Sequence, residues 1–382
     1  MLRFLTAGES HGKCLTGILD GYPAGVKIDT KFINSELARR QFGLGRGGRM
    51  KIETDRITLN SGIRKKRSLG SPISFCIRNK DFSINSLPDI FNVRPGHADL
   101  AGVLKYGSKD ARDILERSSA RETATRVAIG AFCKLLLSEF DIQIFSHVVQ
   151  IGKVEANCSE LTFNEINDRQ KVSPVRCADL NAEKRMIREI KKTLKAGNSL
   201  GGAIEIIAFN VPVGIGSHTQ WDKKLDAIIG SAMMSINAIK AVEIGTACCS
   251  SKLPGSKVHD AIYYSKKDVS THSRCGKYYR KTNNAGGLEG GISNGEPIIT
   301  RIFMKPIPTI SKPLETVNIK THKPVKAAKE RSDCCAVPSA GIVGEAMLAF
   351  AISNAFLQKF GEDNIEEIKN NFEKYTSGLE ER

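Results

Sequence analysis

A helix that is apolar on most of its circumference survives in water only if other parts of the chain cover it. Residues 127–140, VAIGAFCKLLLSEF, form such a segment, so the fold needs layers on more than one side of a central helix. Its start is also legible: Ser119 followed three residues later by Glu122 reads as a capping box, and Ala124, Val127, Ala128, Ala131 and Leu135 then recur at helical spacing. The spacing therefore predicts a helix beginning near Ser119. The first turn of a helix leaves backbone N–H groups unpaired and carries partial positive charge, which makes it a seat for phosphate. Arg117 and Arg121 flank that turn, within a stretch, residues 94–131, that also holds Arg94, His97, Lys105, Lys109, Arg112 and Arg126. These cations could instead form a solvated face paired with Asp110, Asp113, Glu116 and Glu122, since exposed pairs are common and weak. The turn residues Gly96-His97, Tyr106-Gly107 and Ser118-Ser119 crowded among the charges favour a binding site, because sites are disproportionately built on loops.

The charge balance asks for an acidic partner. The chain has 382 residues, a formal net charge of +16 and a pI near 9.4. Nucleic acid is the bland candidate. Against it stand an aromatic content of 6%, the lack of a recognisable nucleic-acid-binding motif, and basic residues gathered in short Gly- and His-containing motifs rather than one stripe. A multiply anionic small molecule suits that pattern better. The length allows two or three domains, and 41% hydrophobic residues suffice for a large core. No apolar run approaches the ~18–20 residues that span a bilayer, and MLRFLTAGESHG lacks a signal-peptide core, so a cytoplasmic location without membrane contact is expected. The ten cysteines are scattered, with adjacent pairs at 248–249 and 334–335, and are expected to be reduced. No C-x-x-C or H-E-x-x-H pattern marks a metal site.

In chain order, strands are expected near residues 3–6 and 15–21, joined by the tight turn GESHG at 8–12, which presents His11 close to a glycine backbone. A helix near 31–41 leads into Arg39, Arg40, Arg46 and Arg49 interleaved with Gly43, Gly45, Gly47 and Gly48. Here flexible backbone and planar guanidinium forks suit a carboxylate or phosphate. Residues 65–67 read as a solvated turn. Residues 142–152 read as a strand in which His147 packs, and NAEKRMIREIKKTLKAG as a charged helix. GGAIEIIAFNVPVGIG at 201–216 reads as a strand that weakly echoes GILDGYPAGVKID. Residues 225–240 read as an amphipathic helix, 251–281 as a Lys-rich surface excursion, and 286–295 as a glycine-rich loop lacking dinucleotide-site spacing. Arg331, Ser332 and Asp333 precede a proline and a long helix.

RPGHAD with RSSARETA, together with GESHG, SINA with NNAGG and GGISNG, and RSD with AVP, resemble the signature of the chorismate synthase family, in that family's order and over residues 1 to about 360. The resemblance implies an α+β fold, a single compact domain with helices sandwiched between antiparallel β-sheets over 1–360, followed by a charged helical tail at 361–382. It also implies a lyase of the shikimate pathway that converts 5-enolpyruvylshikimate 3-phosphate to chorismate by 1,4-elimination of phosphate, requiring reduced FMN without net oxidation. The residues that match the family's catalytic positions are His11, as acid toward the departing phosphate, His97, beside the reduced flavin, and Asp333, in proton movement at the flavin. Ser10, Arg40, Arg46, Arg49 and Arg121 match substrate-binding positions. Arg117, Ser118, Ser119, Asn237, Ala238, Gly290, Lys305, Pro306, Ile307, Pro308, Thr309 and Arg331 match flavin-contacting ones. A homotetramer is implied, and an external flavin reductase, with NADPH as a possible electron source, is expected. The rival classes are a nucleic-acid-binding protein, whose binding collapses with salt, and a flavin oxidoreductase, which consumes reductant.

Overall fold

The protein is described by a computed structural model covering residues 1–46, 53–265, 274–330 and 333–381. Two antiparallel sheets enclose two long helices. The first sheet runs in the spatial order Arg3–Ala7, Cys14–Asp20, Ile73–Arg78 and Ile57–Ser61. The second runs Ile239–Ile244, Ile298–Met304, Gly202–Phe209, Gln143–Ile151 and Val154–Glu155. Helix Thr123–Ser138 lies against the first sheet and helix Val337–Phe360 against the second, and the two helices pack on each other. The α+β sandwich expected from the sequence is therefore the observed architecture. The two stretches that echo each other in sequence lie in different sheets.

Small residues set the spacing of these layers. A Cβ added at Gly130 would stand 2.3 Å from Ala346 Cα, so the two inner helices cross nearly backbone to backbone. At Gly344 an added Cβ would stand 2.6 Å from Ile206 Cδ1, which brings the second helix equally close to its sheet. Helix Val337–Phe360 is 24 residues long with mean hydropathy 1.6, long and apolar enough by those measures to span a membrane, where no such run was expected. Yet 89% of its apolar window is buried between the layers, and it carries Glu345 at its middle. Its apolarity is that of a core element.

Several boundaries differ from the sequence expectation. The helix predicted at 225–240 ends at Met234; Ala238 takes a left-handed φ of 65° and Ile239 opens a sheet strand. The apolar stripe continued through Ile236 and Ile239 because both enter the same core, one from a turn and one from a strand. Among the described residues four helices went unread: Asp99–Tyr106 and Arg112–Ser118, hidden by the density of charges around them, Phe163–Val172, which begins with a full capping box at Thr162 and Glu165, and the single turn Ala247–Ser250. The helix Ile365–Glu380 is docked, with Ile365 and Ile368 buried, Phe372 among Phe140, Phe356 and Phe360, and Tyr375 donating to the Val213 carbonyl. All ten cysteines are free thiols.

The Gly130 contact makes a stability prediction. Gly130→Ala keeps a helical backbone but forces the inner helices apart, and overpacking of this kind costs about 1–3 kcal/mol. Urea unfolding should show a lower midpoint with an unchanged slope, and an unaltered midpoint would mean that the crossing is looser than described here.

Candidate active site

Most of the sequence-predicted residues lie on helix ends and the loops beside them, in clusters held by buried carboxylates. In the first cluster, Arg40 and Arg121 share Asp55: Arg121 Nη1 donates to Asp55 Oδ1 at 2.6 Å, and Arg40 Nη1 lies 3.5 Å from Asp55 Oδ2. The rest of each guanidinium is fixed as well. Arg40 donates to Thr123 Oγ1 and the Ala120 carbonyl, and Arg121 Nε donates to Asn79 Oδ1. Asn79 in turn donates to the carbonyls of Gly12 and Ser10, which ties the GESHG turn to this cluster. Glu53 Oε2 lies 3.9 Å from Arg121 Nη2.

Asp333 joins from the other side, with Arg46 Nη1 donating to its Oδ2 at 2.6 Å. This contact needs Gly45, whose φ is +91° and whose added Cβ would lie 3.0 Å from Cys335 Cβ, while its carbonyl accepts from Cys334 N. Arg40 is pulled down to about 10, first by burial and then by Arg46 and Arg121, while Asp55 and Asp333 act the other way. Three buried guanidinium nitrogens here, Arg40 Nη1, Arg46 Nε and Arg121 Nη2, make no hydrogen bond among the described residues. Concentrated positive charge with unmatched donors suits a bound dianion.

Helix Arg112–Ser118 leads into a short 3-10 turn, Ala120–Glu122, before the central helix. Ser119 caps that turn by accepting from Arg121 N, but the predicted capping box does not form, and the α-helix itself begins at Thr123, four residues beyond Ser119. The Glu122 carboxylate reaches Thr6 and Arg126. Ser119 Oγ also donates to Ser10 Oγ at 3.1 Å. Within the turn, the His11 ring sits with Nδ1 2.9 and 3.1 Å from the two oxygens of Glu116, which also accepts the His11 backbone N–H at 2.7 Å. Burial pushes the Glu116 carboxyl up, but the His11 hydrogen bonds outweigh it and leave it below the ordinary range.

His97 occupies a second, similar clamp. Asp99, fully buried, receives His97 Nδ1 at 2.6 Å, Arg94 Nε at 2.8 Å, Arg94 Nη2 at 2.9 Å and the Arg94 backbone N–H at 3.0 Å. Arg94 Nη2 is also 3.0 Å from His97 Nδ1, but a nitrogen that donates to Asp99 cannot accept from Arg94, so the two donors converge on the carboxylate. Burial alone would raise Asp99; the His97 and Arg94 hydrogen bonds hold it far below the usual carboxylate range. The segments that flank His97 and that carry Glu116 share one small hydrophobic cluster, Ile90, Val93, Val103, Ala111 and Leu115.

The residues matching flavin-contacting positions form a chain of contacts beside His97. Asn237 Nδ2 donates to the Ser118 carbonyl, the Ala238 carbonyl accepts from Lys305 N, and Lys305 Nζ donates to the Gly96 carbonyl. Pro308 stands against Gly96, Arg94 Nη1 donates to Thr309 Oγ1, and the Ile307 carbonyl accepts from Ser199. Pro306, between them, is exposed. Arg117 donates to the Thr6 and Gly8 carbonyls, holding the first strand. Gly290 lies apart, in a hairpin whose contacts run to His218 and Lys224. Arg49 and Arg331 lie outside the described residues.

Sequence reasoning found the cations and missed their anchors, Asp55, Asp99, Glu53 and Asn79, and read Glu116 only as a solvated partner. The usable signal was proximity in sequence, as Asp99 stands two residues after His97 and Asp55 closes the segment after the glycine-arginine loop. His147, expected to pack, is buried and contacts Glu205.

The Asp99 clamp predicts a pH-dependent stability difference. A carboxyl depressed on folding stabilises above its unfolded pKa, ~3.9, and that stability is lost as the pH falls toward the folded value. Asp99→Asn should cost about 1–3 kcal/mol at neutral pH, the worth of charge-assisted hydrogen bonds. The gap from the parent protein should shrink below about pH 4 in urea titrations; a pH-independent gap would remove the charge from the explanation.

The chain as a whole is similar to proteins of known family. The sequence profile described as chorismate synthase matches residues 2–357. The chorismate synthase of Alkaliphilus metalliredigens is 52% identical over 389 residues, covering 99% of this chain and 100% of that protein, and that of Geobacter sulfurreducens is 49% identical with 98% of each covered. A crystal structure of chorismate synthase superposes with a TM-score of 0.81 at 41% identity, covering 100% of this chain and 99% of the other. Neither a nucleic-acid-binding protein nor an oxidoreductase gains support from these matches. The chain belongs to the chorismate synthase family, carbon-oxygen lyases of the shikimate pathway.

Proposed function

We propose that the loops around Arg40, Arg46, Arg121, His11, His97 and Asp333 form one active site, in which 5-enolpyruvylshikimate 3-phosphate loses phosphate in an anti-1,4-elimination to give chorismate. The single observation that carries this reading is the set of three buried guanidinium nitrogens without hydrogen-bond partners, clustered beside Asp333. The substrate brings a phosphate of about −1.5 to −2 and two carboxylates. Arg40, Arg46, Arg49 and Arg121 hold these groups, with Ser10 beside them.

The residues also fit reduced FMN. Lys305 and Arg94 place positive charge beside His97, and the Ser118, Asn237 and Ala238 contacts supply a backbone edge next to residues 305–309. Arg117, Ser119 and Arg331 complete the residues that hold it, while Gly290, which lies apart in this chain, has no contact among the described residues that joins it to them. Reduced FMN, when bound, supplies electron density to the breaking carbon-oxygen bond and is regenerated, so no net oxidation occurs. His97 offsets the negative charge next to it. Asp333 takes part in moving the proton lost from the substrate, and its hydrogen bond from Arg46 holds the carboxylate in place. His11 donates to, or hydrogen-bonds, the departing phosphate, a task within the acid–base repertoire of an imidazole. The reading extends to a homotetramer in the cytoplasm, supplied with electrons by a separate reductase that draws on NADPH.

The deciding assay measures phosphate release from the enolpyruvyl substrate under anaerobic conditions. Release is expected with reduced FMN and none without it, with no reductant consumed per turnover; release independent of flavin would overturn the reading. His11→Ala should lower turnover about 10²–10⁴-fold with flavin binding retained, the range for losing one general acid. Asp333→Asn should give folded, flavin-binding and nearly inactive protein. Normal turnover in either variant would remove that residue from the mechanism.

A further inference from the structure

Glu116 is 2% exposed and spends its carboxylate on a single neighbouring residue, His11, which it meets at both the ring and the backbone. Its own carbonyl accepts the Ser10 N–H at 2.9 Å, so the GESHG turn is fastened to helix Arg112–Ser118 from both sides. A buried carboxylate is costly unless it is matched by donors, and here the matching donors belong to the turn. Only Arg112 adds charge directly, at 3.6 Å from Oε1, and its other nitrogens are engaged by Glu330 and the Pro88 carbonyl. Among the described residues, other charged groups near the turn include Glu9, whose carboxylate lies against Gly12, Lys13 next to it, Arg117, which donates to the Gly8 carbonyl, and Asp81, three residues before the Ile84 N–H that donates to the His11 carbonyl.

We propose that Glu116 is a positioning residue for the reaction: it fixes His11 as the Nδ1–H tautomer and thereby commits Nε2 to the proton exchange with the departing phosphate. The proposal rests on the reading of His11 as the acid. An opposite charge beside an imidazole in general favours the charged ring, so the pH profile of turnover reads out whether this contact acts on the reaction. With an amide in its place the ring should lose its proton at lower pH. The tautomer preference should weaken too, because an amide can donate as well as accept.

The test uses the full chain with reduced FMN, in Glu116→Gln, Glu116→Asp, His11→Ala and the double variant His11→Ala with Glu116→Gln. For Glu116→Gln, turnover should fall tenfold to a hundredfold with KM within about threefold. The alkaline limb of the turnover profile should move about one pH unit lower, the smaller end of the effect of a nearby opposite charge. Nitrogen-15 spectra of the His11 ring, recorded without substrate, should show the Nδ1–H form in the parent protein and lose it in Glu116→Gln. Glu116→Asp, which keeps the charge, should retain the alkaline limb and recover part of the turnover even if the amide variant folds poorly. Adding Glu116→Gln to His11→Ala should cause no further loss, since the carboxylate acts through the ring.

An unchanged limb and ring tautomer in Glu116→Gln, or an additive loss in the double variant, would overturn the proposal. Full turnover in His11→Ala would sink the acid assignment instead, while the ring spectra would still report whether Glu116 sets the tautomer.

Discussion

Glu345 has no exposed surface, yet it stays ionised because three cations surround it. Arg39 donates to both of its oxygens, Lys134 to one and Arg176 to the other, with Ser146 completing the shell. Burial alone would favour the neutral acid; Arg39, Lys134 and Arg176 hold it well below the ordinary range. These partners come from helix Thr30–Gln41, both sides of the inner helical layer, the second sheet and the 173–179 connection. One carboxylate thus sets the relative placement of the elements that carry the site. Such an arrangement adds specificity more than stability, because the attraction largely offsets the cost of removing the charges from water.

The site repeats this device, again with two carboxylates facing three cations, but with part of the guanidinium hydrogen bonding left unmade. In the core, Glu36 and Glu345 face Arg39, Lys134 and Arg176 with their hydrogen bonds largely made. At the loops, Asp55 and Asp333 leave part of Arg40, Arg46 and Arg121 unmatched. The first network is closed by the chain itself. The second is left open by the described residues, and on the function proposed above an anionic substrate would close it.

What the sequence disclosed and what it hid follow from the reach of each interaction. Helix starts and strand alternation depend on residues three or four apart, so Ser119, the 3–7 and 143–151 strands and the long 337–360 helix were legible. The end of the 225–234 helix was not, because Ile236 and Ile239 keep the apolar rhythm while Ala238 changes the backbone hand. The motif cations were visible as a local density. Their anchors were harder to see, since Asp55 meets Arg121 across 66 positions and Arg46 meets Asp333 across 287. A carboxylate that holds an active-site arginine looks, one residue at a time, like any surface acid.

Arg39 and Arg40 occupy neighbouring positions on one helical turn, about 100° apart around its axis, and they serve opposite interiors. One reaches Glu345 in the core, the other Asp55 and Thr123 at the loops. The helix therefore works as a two-sided key whose angular setting admits no slippage. Adding or removing a single residue within 30–41 would exchange the two bits of the key, so natural variation in chain length has to be accommodated elsewhere, in stretches such as 155–162 that face water on their own account.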